Sequence, residues 1–166
     1  NLPKFYLDLK SYKKSLLNNS NPYTPAVNLM FALDEALQMM REEGLDEIYK
    51  KHERYKKSVS EAAKILNLKL FANENNLSPA ITAIELNEID AELFRKTIQS
   101  KYGIQLAGGQ DHLKGKIFRV GHLGYVNNQD IISVISAIGL TLFEQNIVTE
   151  MEVGKALVEA NKQLDK

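Results

Sequence analysis

Residues 104–125 limit the fold more than any other part of the chain. Two short apolar runs, 104–107 and 117–120, flank a polar, glycine-bearing loop at 108–116. That pattern predicts two neighbouring antiparallel strands joined by a long connection. Arg119 sits inside the second run, between Phe118 and Val120. Side chains alternate across a strand, so Phe118 and Val120 share one face while Ile117 and Arg119 share the other. If helices cover the Phe118 face, Arg119 points the opposite way. A guanidinium on a half-buried sheet face needs an anionic partner, because an unpaired buried charge is expensive. Its planar fork suits a carboxylate gripped by two parallel hydrogen bonds. From residue types alone, that carboxylate is either a nearby Asp or Glu or one brought by a ligand.

The rest of the chain supplies the layer that would cover the Phe118 face. Asp8 is placed to cap a short helix within 5–17. Asn18, Asn19, Ser20, Asn21 and Pro22 form a loop, and Pro25 is placed to open the next helix. Met30, Leu33, Leu37 and Met40 recur at helical spacing, which predicts a long helix over 26–43 closed by Gly44. A second helix is expected over 45–66, with Ile48, Tyr55, Val59, Ala62 and Leu66 on its apolar stripe. At Leu68 the period changes from helical to extended. Strands are expected at 68–72 and 80–86, then a helix over 91–102 capped by Asp90 and ended by Gly103. After the 104–125 stretch come a helix capped by Asn127 or Asn128 and a last helix opened by a Thr149/Glu152 capping box. From residue 68 onward the order is strand, strand, helix, strand, strand, helix, helix. It predicts an α+β two-layer sandwich: a small, mostly antiparallel sheet with helices on one face, preceded by a long connecting helix. The expected division is an N-terminal segment with the connecting helix at 1–44 and a compact domain at 45–166.

Composition removes several chemistries. The 166 residues carry 21 basic and 21 acidic side chains, so no overall field draws in nucleic acid or an anionic membrane. No apolar run reaches the roughly 20 residues of a membrane span, and the start shows no signal-peptide pattern. Cysteine is absent, so this chain offers no thiolate for catalysis, zinc or an iron–sulfur cluster. The expected location is the cytoplasm. His112 and His122 flank the second strand and could converge, but no carboxylate is spaced to complete a metal set, so no metal is expected. No catalytic set can be placed. The pair Gly108-Gly109 lets backbone approach something closely, or simply makes a tight loop. Thr24, before a helix start, is either an N-cap or an anion contact.

The segment from Leu106 to Gly124, and above all Lys114-Gly115-Lys116-Ile117-Phe118-Arg119-Val120-Gly121-His122, resembles the C-terminal part of class V aminotransferases. These are pyridoxal-phosphate enzymes of the alanine–glyoxylate and serine–glyoxylate type, of aspartate-aminotransferase fold. The run from Asn21 to Val27 and the one from Leu2 to Asp8 look like the same family's approach to that domain. Asp111 departs from it, standing where the family often has glycine. The resemblance implies that Arg119 grips the substrate α-carboxylate and that Gly108 and Gly109 lie near the substrate. It implies that Thr24 reaches the cofactor phosphate of a partner subunit, with Tyr23 in the same loop. The family's cofactor-bearing lysine stands before a Pro-Pro-Gly turn, and this chain has no Pro-Pro pair. The expectation is a C-terminal domain without catalytic residues of its own, unable to hold the cofactor covalently. It would work with a missing N-terminal large domain, in a homodimer, on an amino acid and a 2-oxo acid. The sheet face of Ile117 and Arg119 is expected to be open. Two other readings stand beside this one. One is a stand-alone ligand-binding α+β module. The other concerns the name, since some bacterial relatives are labelled soluble hydrogenase subunits.

Overall fold

The computed structural model describes residues 3–87 and 89–165. Asn1 and Leu2, where the Leu2 to Asp8 motif begins, lie outside the described residues. The chain separates into two compact units, Asn1–Leu45 and Asp46–Lys166.

In the first unit, α1 (Leu9–Leu16) is capped by Asp8, whose carboxylate accepts from the Lys10 N–H. The long helix α2 (Val27–Glu43) ends at Gly44, as the sequence predicts. Its start differs from expectation. Ala26 is the cap residue, so Pro25 and Thr24 precede the helix and Thr24 is not its N-cap. The reason is local: the Val27 N–H bonds back to the Pro25 carbonyl at 2.9 Å, a tight turn that holds Pro25 outside the helix. None of the α2 side chains is buried; Leu29, Met30, Phe31 and Leu33 all stand exposed.

The second unit is the predicted α+β sandwich. Helix α3 (Leu45–Ile65) leads to β1 (Lys69–Leu70) and β2 (Ile81–Glu85); α4 (Ala91–Tyr102) leads to β3 (Ala107–Gly108) and β4 (Ile117–Gly121). Helices α5 (Asn128–Glu144) and α6 (Glu150–Leu164) follow. The strands lie in the order β1-β2-β4-β3, and every neighbouring pair is antiparallel. Burial alternates along β2, so Thr82 and Ile84 face the helices while Ile81, Ala83 and Glu85 face away. Cross-strand register puts Ile84 beside Phe118 and Thr82 beside Val120 on the covered face. Phe94 of α4 packs its ring 5.3 Å from that of Phe118. Tyr55 and Val59 of α3, Leu66 just past its end, Ile131, Ile135 and Leu142 of α5, and Val153, Ala160 and Leu164 of α6 complete one core. Each large side chain buried there contributes roughly 1.5–3 kcal/mol, which makes this layer the rigid base of the sheet.

The caps fall where the sequence puts them. Asp90 accepts from the Glu92 and Leu93 N–H groups, and Gly103 closes α4 in the left-handed region. Asn127 with Asp130, and Thr149 with Glu152, form reciprocal capping boxes. Three strands are shorter than predicted: β2 drops Ala80 and Leu86 at its ends, β1 stops before Phe71 and Ala72, and β3 is cut to two residues. β1 loses Leu68 because its N–H bonds to the Ala63 carbonyl and closes the end of α3. β3 is moved toward the glycines and excludes 104–106. Arg95 of α4 donates from Nε to the Leu106 carbonyl at 2.7 Å, which draws that stretch away from β4. The ladder pairs Ala107 with Arg119 and Gly108 with Phe118, and continues with the Gly109 N–H on the Ile117 carbonyl. Gly108 is therefore strand, not loop.

Candidate functional site

The sheet face turned away from the helices carries the candidate site. Arg119 projects there from the middle of β4, opposite Ala83 of β2 and Ala107 of β3. Alanine on both sides leaves the long side chain lateral space. The guanidinium is half-buried, and its Nε donates to the Gly108 carbonyl at 3.0 Å. Among the described residues, neither terminal nitrogen of Arg119 meets a carboxylate; the side chain bonds to the Gly108 carbonyl. With Nε committed to the backbone, the two terminal amino groups remain as a parallel pair of donors, the geometry that grips a carboxylate end-on.

Gly108 holds that arginine through its carbonyl, and Gly109 is the next residue along the same strand edge. A Cβ on Gly108 would lie 2.5 Å from Arg95 Nη1 and from Glu92 Oε1. The space is taken by the Arg95–Glu92 ion pair, at 2.8 Å, on the helix side of β3. A Cβ on Gly109 would lie 2.1 Å from the Leu113 carbonyl oxygen and 3.0 Å from Ile117 Cγ1. The 3-10 turn Asp111–Leu113 thus folds directly over Gly109 and Ile117. This corrects one expectation. Ile117 is only 4% exposed, because the chain's own loop covers that end of the face. The Arg119 end is not sealed in the same way.

The two histidines do not converge. His112 is exposed on the Asp111–Leu113 turn. His122 follows β4 on the helix-covered face and is fully buried. Its Nδ1 lies 3.0 Å from the Pro79 carbonyl and its Nε2 lies 2.9 Å from Thr82 Oγ1. The pairing assigns the proton to Nδ1, with Nε2 accepting from the Thr82 hydroxyl. Burial pushes its pKa below the ordinary imidazole value, against the Pro79 contact, which raises it. His122 is a neutral tie between the end of β4 and the start of β2, three residues from Arg119. No group of three or more His, Cys, Asp or Glu side chains among the described residues could hold a metal ion, and no helix there is long and apolar enough to cross a membrane.

Tyr23 and Thr24 belong to the other unit. The Tyr23 hydroxyl donates to the Phe5 carbonyl at 2.9 Å, and its ring packs against Phe5, Tyr6 and Tyr12. Thr24 is exposed, with no hydrogen bond to a described residue. Sequence reasoning missed Arg95, which anchors β3, and the ion pair between Lys69 and Glu85 at 2.6 Å on the Arg119 face. Alternation around Ala83 could have placed Glu85 on that face; the strand register that brings Lys69 to it could not be read.

No protein-family model matches the chain. Individual proteins do. It is 49% identical, over 143 residues, to the small subunit of a soluble hydrogenase from Synechococcus sp. (strain PCC 6716), covering 86% of this chain and 37% of that protein. It is 38% identical, over 162 residues, to an uncharacterized aminotransferase of Methanocaldococcus jannaschii, covering 96% of this chain and 41% of that one. The crystal structure of ureidoglycine–glyoxylate aminotransferase from Bacillus subtilis superposes with a TM-score of 0.86 at 27% identity, over 97% of this chain and 42% of that chain. The chain thus spans about two fifths of the length of the relatives it matches.

Proposed function

We propose, for a chain that belongs to the class V aminotransferase family and matches its C-terminal domain, that it supplies the substrate-carboxylate grip of a transaminase. The whole protein moves an amino group from a small amino acid such as alanine or serine to glyoxylate or a similar 2-oxo acid. The observation that carries this reading is Arg119: fixed by Gly108, flanked by alanines, and not paired to an acid among the described residues. Both donor and acceptor in such a reaction carry an α-carboxylate, so one fork can hold either in turn.

Pyridoxal 5′-phosphate, the cofactor implied by the family, fits this chain in part. The exposed hydroxyl of Thr24 is free to meet a phosphate oxygen, whereas that of Tyr23 is engaged by Phe5. When bound, the cofactor supplies an electron sink for the carbon that loses its proton. This chain's part is orientation: Arg119 fixes the carboxylate, and the covered sheet beneath fixes Arg119. The lysine that carries the cofactor is assigned to the large domain, because no Pro-Pro-Gly turn exists in this sequence. The exposed apolar residues of α2 support a partner, since a row such as Leu29, Met30 and Leu33 marks an interaction surface. The large domain and a second subunit are the proposed partners. The hydrogenase name of the Synechococcus relative is not carried over; thiolate ligation of nickel or iron cannot come from a chain without cysteine.

The test is spectral. With cofactor and L-alanine or L-serine, the whole protein should lose the visible band of the aldehyde form and regain it with glyoxylate. This chain alone, with equimolar cofactor, should show no saturable visible aldimine band of the kind that one dedicated lysine gives. Failure of the exchange with every amino donor, or a stoichiometric aldimine at a single lysine of this chain, overturns the reading.

A further inference from the structure

Four strands carry one acidic side chain and two basic ones: Glu85, and Lys69 with Arg119. All three face away from the helices. Lys69 stands directly opposite Glu85 across β1 and β2. Glu85 stands opposite Ile117 across β2 and β4, while Arg119 stands opposite Ala83. Glu85 is therefore a diagonal neighbour of Arg119. Diagonal neighbours lie at roughly 7–8 Å, within reach of long side chains. An acid so placed is a hazard to a carboxylate-binding arginine. It can neutralise the guanidinium, and it repels an arriving anion.

The Glu85 carboxylate is held elsewhere. Its Oε2 is buried, with no hydrogen-bond donor among the described residues. Lys69 Nζ lies 2.6 Å from that oxygen. The approach lacks a hydrogen bond's direction, so the contact is one of charge. Lys69 itself is largely exposed, whereas Glu85 is mostly covered. A buried carboxylate oxygen without a donor requires a nearby cation, and on this face only Lys69 and Arg119 qualify among the strand residues. Arg119 meanwhile leans toward β3, bonded to Gly108 on the side away from Glu85.

We propose that Lys69 is a positioning residue of the carboxylate site: by holding Glu85 it keeps Arg119 unclaimed and ready for a ligand carboxylate. The proposal rests on the reading of Arg119 given above and adds a residue from a different strand, β1 at the sheet edge. Removing Lys69 leaves Glu85 with Arg119 as the remaining cation among the described strand residues of the face. The guanidinium then turns from Gly108 toward β2. Removing the Glu85 charge as well frees Arg119 again, which a merely structural role for Lys69 does not explain.

The experiment uses the 166-residue chain with Lys69→Met, Glu85→Gln, the double variant and Arg119→Lys. Nitrogen-15 spectra of the arginine side chain report on Arg119 directly, its signal assigned by its loss in R119K. In K69M the Arg119 N–H signal should shift and exchange with water more slowly. In K69M/E85Q it should return to the position seen in E85Q. Titration with pyruvate should show K69M binding roughly tenfold more weakly, the scale of one interaction between partly screened charges, with recovery in the double variant. An Arg119 signal unchanged by K69M overturns the proposal whether or not pyruvate binds. Pyruvate binding that survives R119K sinks the carboxylate reading of Arg119 instead, so the two failures are distinct.

Discussion

Gly109→Ala places a methyl group where the chain's own backbone already lies. The new Cβ would sit 2.1 Å from the Leu113 carbonyl oxygen and 2.5 Å from its carbon. Ordinary contacts need roughly 3.5 Å, so the two segments must separate by more than about 1 Å. Neither side yields easily. Gly109 is held to β4 by its N–H on the Ile117 carbonyl, and the turn is held by Leu113 on Gln110 and Lys116 on Leu113. Overpacking of this kind costs about 1–3 kcal/mol, and a rigid backbone neighbour puts G109A at the upper end. Gly108→Ala is the control. Its Cβ also comes within 2.5 Å of other atoms, but those are the ends of the Arg95 and Glu92 side chains, which can swing aside. Urea unfolding followed by far-ultraviolet circular dichroism measures both. With a slope of roughly 1–3 kcal/mol per molar, G109A should lower the midpoint by about 1 M, and G108A by clearly less. A G109A midpoint equal to that of the unsubstituted chain, or G108A as the worse of the two, refutes the claim that the Asp111–Leu113 turn seals this end of the face.

Three further outcomes follow from the same geometry. His122 is neutral and buried in the fold, and its pKa is held below the ordinary value, chiefly by burial. The unfolded chain therefore takes up a proton near pH 6.5 that the folded chain refuses, so stability present above that pH is lost as pH falls below it, by at most about 1.4 kcal/mol per unit. Urea unfolding at neutral and mildly acidic pH should show this slope, and His122→Gln should flatten it; an unchanged slope in H122Q contradicts the assignment. Asn127→Ala removes one arm of the α5 capping box and should cost about 1 kcal/mol, read as a lower thermal midpoint. Phe118→Ala empties the centre of the covered face and should cost about 3–5 kcal/mol, against well under 1 kcal/mol for Lys114→Ala on the exposed loop.

Local chemistry was readable in this sequence and non-local geometry was not. Asp90, Asn127 and Thr149 each announce a helix start because a cap needs only a side chain and the next turn of backbone. Gly103 announces an end for the same reason. Alternation alone assigns Phe118 and Arg119 to opposite faces. What alternation cannot give is register. That Lys69 meets Glu85, and that Glu85 lies diagonal to Arg119, depends on pairings between strands far apart in sequence. The shift of β3 came from Arg95, eleven residues before the Leu106 carbonyl it holds, and no periodicity encodes such a bond. The cover over Ile117 has the same origin: a loop rich in glycine and charge looked like open connection until its path brought Leu113 back over Gly109. Thr24 fell outside its helix because a single backbone bond to Pro25 moved the start by two residues.

The central claim is that Arg119 receives the carboxylate of a transaminase substrate. Steady-state kinetics of the whole protein, unsubstituted and with Arg119→Lys, measure it most directly. Lysine keeps the charge and loses the fork, so kcat/KM for the amino donor should fall roughly a hundredfold, the loss of a paired, charge-assisted contact, with cofactor binding unchanged. Equal kcat/KM in R119K, with the variant folded and loaded with cofactor, would contradict the account.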